Sequence, residues 1–125
     1  MFFRRRNRPV GQQGEDLATR HLKRNGYAIL GRNVQLGRFE IDIIAREGDT
    51  IAFVEVKTRR DTDIANPEEN ITSEKKRRLI AAARIYLGSA EHGPETYYRF
   101  DVIAIVFPLK DKPAVTLYRN AFPFP

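Results

Sequence analysis

The chain has 125 residues, 42% of them hydrophobic and 30% charged, with a net charge of +6 and no cysteine. That length suits one domain with a sheet and helices and excludes two separate cores; the lack of Cys excludes disulfides and thiolate metal sites and fits a reducing cytoplasm. No apolar run approaches the roughly 18–20 residues that span a bilayer, Met1-Phe2-Phe3 lacks the apolar core of a signal peptide, and the basic excess favours a polyanionic partner such as nucleic acid.

Residues 1–10 form a basic arm. Arg4, Arg5, Arg6 and Arg8 lie in a stretch without apolar periodicity. The arm reads either as a solvated end or as a flexible phosphate-binding segment. A single domain is expected over residues 11–120, followed by an apolar tail over residues 121–125.

Gly11 to Asn25 reads as an amphipathic helix stopped by Gly26. Ala18 and Leu22 form its buried stripe with Leu17 beside them, and Glu15 heads that stripe. Glu15 has two readings. It is a first-turn carboxylate that complements the helix dipole, or a supporting ligand that reaches an acidic site on the sheet. His21 is expected to be a partly exposed helix residue. Tyr27 to Val34 is the first strand.

The chain is organised around Arg38 to Arg59, RFEIDIIAREGDTIAFVEVKTR. Two β-patterned runs, Arg38–Arg46 and Thr50–Thr58, flank the breaker Glu47-Gly48-Asp49. Strand side chains alternate faces, so Glu40 and Asp42 share one face of the first strand, and Glu55 and Lys57 share one face of the second. A two-residue loop over Gly48-Asp49, with Gly first as a type II′ turn prefers, or a four-residue loop centred there, sets Asp42 opposite Glu55 and Glu40 opposite Lys57. A three-residue loop would set Glu55 opposite Ile41, on the wrong face. Directly opposed Cβ atoms lie roughly 4.5–5.5 Å apart, close enough for two carboxylates to share one ion. Unscreened by a cation, carboxylates about 4 Å apart repel by about 4 kcal/mol at an effective dielectric of about 20. Mg²⁺, Mn²⁺ or Lys57 must compensate, and oxygen ligands without Cys favour the metals. Ile41, Ile43, Val54 and Val56 are expected on the opposite face.

Arg60 to Asn70 is a polar connection, read as a substrate-contacting segment or a plain crossover linker. Asn70 or Thr72 caps a second helix that runs to about Leu87 with Gly88 as its stop. Leu79, Ala83, Tyr86 and Leu87 form its stripe, with Ile80 alongside. Lys75, Lys76, Arg77 and Arg78 crowd the end where the dipole is already positive, at roughly 0.3–1 kcal/mol per exposed charge. A bound anion reverses that sign. Lys75 should point toward the sheet and the others toward solvent. The bland reading is a solvated basic face paired with Glu68, Glu69 and Glu74.

Tyr97 to Phe107 reads as a strand buried on both faces, with Asp101 in a structural bond to a backbone group or an arginine. Ala114 to Arg119 is a short final strand, and the tail packs on the body or on a partner subunit. The order helix, three strands, helix, two strands gives an α/β sandwich with a mixed central sheet of about five strands. The second helix makes a parallel crossover.

Asp42 followed by Glu55-Val56-Lys57 resembles the D…(D/E)-x-K signature of the restriction-endonuclease-like nuclease superfamily. GQQGEDLA, FEIDIIA, FVEVKTRR, KKRRL…A…YL and RFDVIAI, in that order from about Gly11 to Ile105, resemble the YraN-like family of small bacterial proteins. That family is similar to archaeal Holliday-junction resolvases. One departure is Phe39, where the family pattern usually has Gly; it points away from Glu40 and implies a packing change. The resemblance implies a restriction-endonuclease-like α/β/α sandwich and Mg²⁺- or Mn²⁺-dependent hydrolysis of DNA, on branched or flapped structures by analogy with the resolvases. Asp42 and Glu55 would hold the metal, Lys57 would act with them, and Glu40 and Glu15 would support. Lys75, Lys76, Arg77, Arg59, Arg4, Arg5 and Arg6 would bind nucleic acid. A homodimer is compatible with the resolvase likeness and the apolar tail. The competing expectation is a nucleic-acid-binding accessory module without catalysis; the third is a solvated hairpin in which Lys57 simply pairs with Glu40.

Overall fold

A computed structural model describes residues 10–60, 71–89, 93, 96–108 and 110–123. The arginines of the basic arm, the connection over residues 61–70 and the last two residues of the tail lie outside these. Seven elements follow in order: α1 (Val10–Arg24), β1 (Ala28–Leu36), β2 (Phe39–Glu47), β3 (Thr50–Arg60), α2 (Ser73–Ser89), β4 (Tyr97–Phe107) and β5 (Ala114–Phe122). The strands form one sheet in the order β1-β2-β3-β4-β5. Only the β3–β4 pair is parallel, and α2 lies between them in sequence. The expected mixed α/β architecture is present.

Each face of the sheet buries its own core. Ala18 and Leu22 of α1 pack with Tyr27, Ile43, Ala45, Ala52, Val54, Ile103 and Ile105. Leu79, Ala82 and Ala83 of α2 pack with Ile44, Ile51, Phe53, Phe100, Val102 and Phe122 on the other face. The central strands β3 and β4 contribute to both, which is why their sequences read as near-continuous apolar runs. Each large apolar side chain so buried contributes roughly 1.5–3 kcal/mol.

Local chemistry sets the ends of the helices. Gly26 has φ 87, and the bonds Gly26 N to Lys23 O and Tyr27 N to Leu22 O, 3.2 and 3.0 Å, form a Schellman closure of α1. Tyr27 and Leu22 share the same core, supplying the apolar contact that accompanies this motif. Thr72 caps α2, its Oγ1 accepting from Lys75 N at 3.1 Å; the alternative cap, Asn70, lies outside the described residues. At the centre of the β2–β3 hairpin, Glu47 pairs with Thr50 across Gly48-Asp49. Gly48 has φ 60 while Asp49 has no positive φ, the φ pattern of type II′.

Several boundaries differ from expectation: β1 runs from Ala28 to Leu36 rather than from Tyr27 to Val34, and α2 passes through Gly88 to Ser89 instead of stopping at that glycine. The final strand runs to Phe122 rather than Arg119. The tail's first aromatic is therefore part of the sheet; Phe122 stacks on Phe100 with ring centroids 4.5 Å apart. Packing energy, invisible in a Phe-Pro run, extended the strand.

Gly14 lets α1 approach β3. A Cβ there would lie 2.3 Å from Thr58 Cγ2, well inside van der Waals contact. Gly14→Ala must push the helix or the threonine aside. It should lower stability by roughly 1–3 kcal/mol, read as a lower urea midpoint with unchanged slope. A variant as stable as the parent would show that the close approach is dispensable.

Candidate active site

The β2–β3 ladder runs from Glu47↔Thr50 through Arg46↔Ile51, Ala45↔Ala52 and Ile44↔Phe53 to Ile43↔Val54. Ile43↔Val54 is the last pair, one step short of Asp42 and Glu55, and the charge of Asp42 acts on Glu55. Asp42 Oδ2 accepts from Val56 N at 2.8 Å, the role a β2 carbonyl would fill had the ladder continued.

The alternation of β2 breaks at the same residue. Ile43 and Ala45 face the α1 core, but Ile41 joins Ile44 in the α2 core. The expectation that Ile41 would share a face with Ile43 is thus corrected, while Val54 and Val56 do lie on the Ile43 side. Next door in β1, Asn33 adopts φ 49, a left-handed conformation in which Asn is enriched. The break in β2 thus falls at Asp42, beside this left-handed residue of β1.

Glu55 is buried, 6% exposed. Its Oε1 lies 3.4 Å from Lys75 Nζ of α2, and its Oε2 is buried without a partner among the described residues. Burial, then the charge of Asp42, pushes the Glu55 carboxyl up to about 7, against the pull of Lys75 and Lys57. Asp42 is raised as well, by burial first, with the Val56 amide and Lys75 opposing and Glu15 and Glu40 adding to the rise. Burial is thus the main reason both carboxylates resist ionisation, and at Glu55 the charge of Asp42 adds to it.

Lys57 is half-buried and acts on Glu55 through its charge. Glu40 is exposed and lies opposite Gln35 of β1. The expected Glu40–Lys57 opposition is not formed, because the hairpin ladder stops short of those residues and no ion pair joins them among the described residues. Glu15 is buried in the second turn of α1, so the first-turn dipole reading fails. Its Oε1 accepts from Arg32 Nε at 3.0 Å and from Asn33 Nδ2 at 2.7 Å. Arg32 also holds Asp16 at 2.7 Å. Glu15 thus lends negative potential to Asp42 from a tethered position. Among the described residues, no group of three or more carboxylate or histidine side chains is arranged to hold a metal ion.

The basic residues divide. Lys75 points at the sheet as expected. Lys76 is half-buried with its Nζ 5.5 Å from the Phe122 ring centre, so it packs on the core edge instead of facing solvent as expected; the aromatic at the end of β5 supplies a cation–π contact. Arg77 is exposed. Arg78 pairs with Glu74 at 2.7 Å, and Arg59 is half-buried with Nη1 3.4 Å from Thr58 O. A groove of about 420 Å³ lined by Arg38, Phe39, Glu40, Lys75, Arg78 and Leu79 opens beside the carboxylate pair. A larger open cleft of about 630 Å³ runs along α1 past Arg20, Lys23 and Arg32 and contains neither Asp42 nor Glu55.

At the far end of the sheet, Asp101 accepts from Tyr27 Oη, Arg99 Nε and Asn120 N at 2.8, 2.9 and 2.9 Å. This is the structural role expected of it. Glu47 joins Arg99 and Arg119 in the same network, and the Arg119 guanidinium above all pulls its carboxyl down to about 2. The sequence reading missed Arg32 and Asn33 as the residues that hold Glu15. An Asn within a strand, next to a Gly-containing bulge, was the available signal.

No helix among the described residues is long and apolar enough to cross a membrane. The family described as uncharacterised protein family UPF0102 matches residues 14–105. A UPF0102 protein of Caldicellulosiruptor saccharolyticus is 42% identical over 116 residues, covering 92% of this chain and 98% of that one. One of Clostridium perfringens is 39% identical over 117 residues, 93% and 95% of the two chains. One of Chlorobium limicola is 47% identical over 97 residues, 78% and 74%. On this match, which takes in the hairpin, both helices from Gly14 onward and most of β4, the chain belongs to the UPF0102 family.

Proposed function

We propose that this protein is a metal-dependent endonuclease that hydrolyses DNA phosphodiester bonds, with branched or otherwise structured DNA as its substrate. The observation that carries the reading is the Asp42–Glu55 pair: two carboxylates both raised by burial, with Asp42 raising Glu55 further and Glu55 Oε2 buried without a partner among the described residues. Buried polar atoms are rarely left unbonded, and hard oxygen donors of this kind fit Mg²⁺ or Mn²⁺. Two protein carboxylates, with phosphate and water completing the shell, are a usual Mg²⁺ set. Asp42 and Glu55 would hold the ion. When bound, the ion lowers the pKa of a coordinated water and offsets charge on the phosphoryl oxygens.

The chain's own residues do the rest. The Val56 amide fixes the orientation of Asp42. Lys57, on the same strand and two residues beyond Glu55, offers a cationic donor to the attacking water or to the phosphate. Tethered Glu15 keeps the local potential negative and so favours cation capture. The net charge of +6 and the cations of α2 favour a polyanionic substrate. The likeness of the D…ExK pattern to nucleases, and of the YraN-like family to resolvases, supports the choice of reaction and of branched DNA.

Duplex, single-stranded, flap and four-way-junction DNA incubated with Mg²⁺ or Mn²⁺ test this directly. Cleavage of a branched substrate, abolished by EDTA, is expected. No cleavage of any substrate, with salt-sensitive binding retained, would replace the enzyme with a non-catalytic nucleic-acid-binding module. Binding itself should weaken steeply between about 50 and 200 mM salt, because phosphate contacts release counterions. An affinity that does not change over that range would remove nucleic acid as the partner.

A further inference from the structure

Glu55 takes its ion-pair partner from across the crossover. Lys75 Nζ lies 3.4 Å from Glu55 Oε1, and Lys75 also lines the groove that holds Arg38 and Arg78. One amine therefore touches Glu55 and also lines a groove shared with two arginines. Its backbone position is fixed, since Lys75 N donates to the capping Thr72 Oγ1. Its side chain is 37% exposed on a flexible four-carbon stem. A lysine at a helix N-terminus opposes the dipole unless it faces an anion, and here the anion is Glu55. Lys57 differs: it lies on β3 beside Glu55 and does not line the groove.

We infer that Lys75 is a built-in counter-ion of the Asp42–Glu55 pair, displaced when a divalent cation binds and turned to a DNA phosphate in the groove of Arg38 and Arg78. The inference rests on reading that pair as a metal site. An ammonium on Glu55 Oε1 and a dication drawn to the neighbouring Oε2 repel each other, so they do not share Glu55. With the metal bound, the nearest open space for the displaced amine is the groove it already lines. Arg38 is exposed there and Arg78 is steadied by Glu74, so a phosphate would meet three cations. Glu40 is the one carboxylate in the lining; it repels a phosphate and attracts the released amine. Glu15, from α1, adds negative charge behind Asp42 and favours the metal over the monovalent amine.

The test measures metal binding and DNA binding separately. Without DNA, Lys75→Ala and Lys75→Gln should each bind Mn²⁺ about tenfold more tightly than the parent by titration calorimetry. Arg84→Ala, which removes the same charge from an exposed position on α2, should not. Circular dichroism of each variant confirms folding. With a four-way junction and Ca²⁺ in place of Mg²⁺, the salt dependence of binding should become shallower in Lys75→Ala by about 0.9 in log–log slope. In EDTA the slope should be unchanged, because Lys75 is then held by Glu55. Mn²⁺ affinity unchanged or weakened in both Lys75 variants overturns the counter-ion role and leaves the metal site standing. A slope change equal in Ca²⁺ and EDTA, or no DNA binding at all, overturns the exchange. No Mn²⁺ binding by any of the proteins overturns both this inference and the metal reading.

Discussion

Asp42→Ala, Glu55→Ala and Lys57→Ala should each reduce Mg²⁺-dependent DNA cleavage by about a thousandfold or more, and the double variants should lose little beyond the worst single one. The magnitude follows from what each removes. Loss of a preorganised group that stabilises developing charge costs roughly 10²–10³ in rate, and loss of a carboxylate from a two-carboxylate site takes the metal's own contribution with it. Non-additivity is expected because the residues act as a unit. Val56 N donates to Asp42, Asp42 raises the pKa of Glu55, and Lys57 opposes that rise. Rates on a cleaved substrate, measured in parallel with Mn²⁺ binding, separate the roles. Lys57→Ala should keep the metal and lose the chemistry, whereas Glu55→Ala should lose both. Cleavage at the parental rate in Glu55→Ala would place the active site elsewhere.

The sheet was legible because its signals are local. Period-two patterning located β2 and β3, the continuous apolar run located β4, and Gly48-Asp49 fixed the hairpin register. That register brings the ladder to Ile43↔Val54, one residue from Asp42 and Glu55. The end of the ladder was not legible. Asp42 substitutes its carboxylate for a main-chain acceptor, and such a swap leaves no trace in hydrophobic periodicity. The same break sent Ile41 to the other core and kept Glu40 away from Lys57. Long-range capture was also hidden. Nothing near Glu15 in sequence indicates that Arg32 and Asn33 hold it. Lys75 was readable because it lies one turn before Leu79 on the buried stripe of α2, and helical geometry carries that inference across the crossover. Lys76 was not, since its partner Phe122 comes from the far end of the chain.

Without metal, the protein should lose stability as pH rises from about 5 to about 8, opposite to the usual behaviour of a paired carboxylate. Glu55 carries a folded pKa of about 7 against an unfolded value of 4.5. A raised folded pKa means the native state holds its proton more tightly than the unfolded chain. The stabilisation is fully present below pH 4.5 and is lost as pH passes through 7. With the Glu55 side chain only 8% exposed, the shift corresponds to roughly 3 kcal/mol between those limits. Asp42 is raised too and contributes with the same sign, the two protons leaving as a coupled pair. His21 works against this: its folded pKa is lowered by burial and by Arg24 and Arg119, which favours the native state as pH rises through the imidazole range. Glu47, with its carboxyl held down near 2, matters only at more acidic pH. Glu55→Gln separates these contributions, because His21 and Glu47 are common to both proteins. The variant should show a nearly flat urea midpoint from pH 6 to 8 and should exceed the parent in stability at pH 8 in EDTA. Added Mg²⁺ should raise the parent's midpoint at pH 8 by mass action on the native state and leave the variant's unmoved. A parent whose midpoint does not fall over this range, or a Glu55→Gln protein that falls equally, would show that the Asp42–Glu55 pair is not held in the folded protein at the cost of ionisation. The argument for a cation at this site would then lose its electrostatic basis.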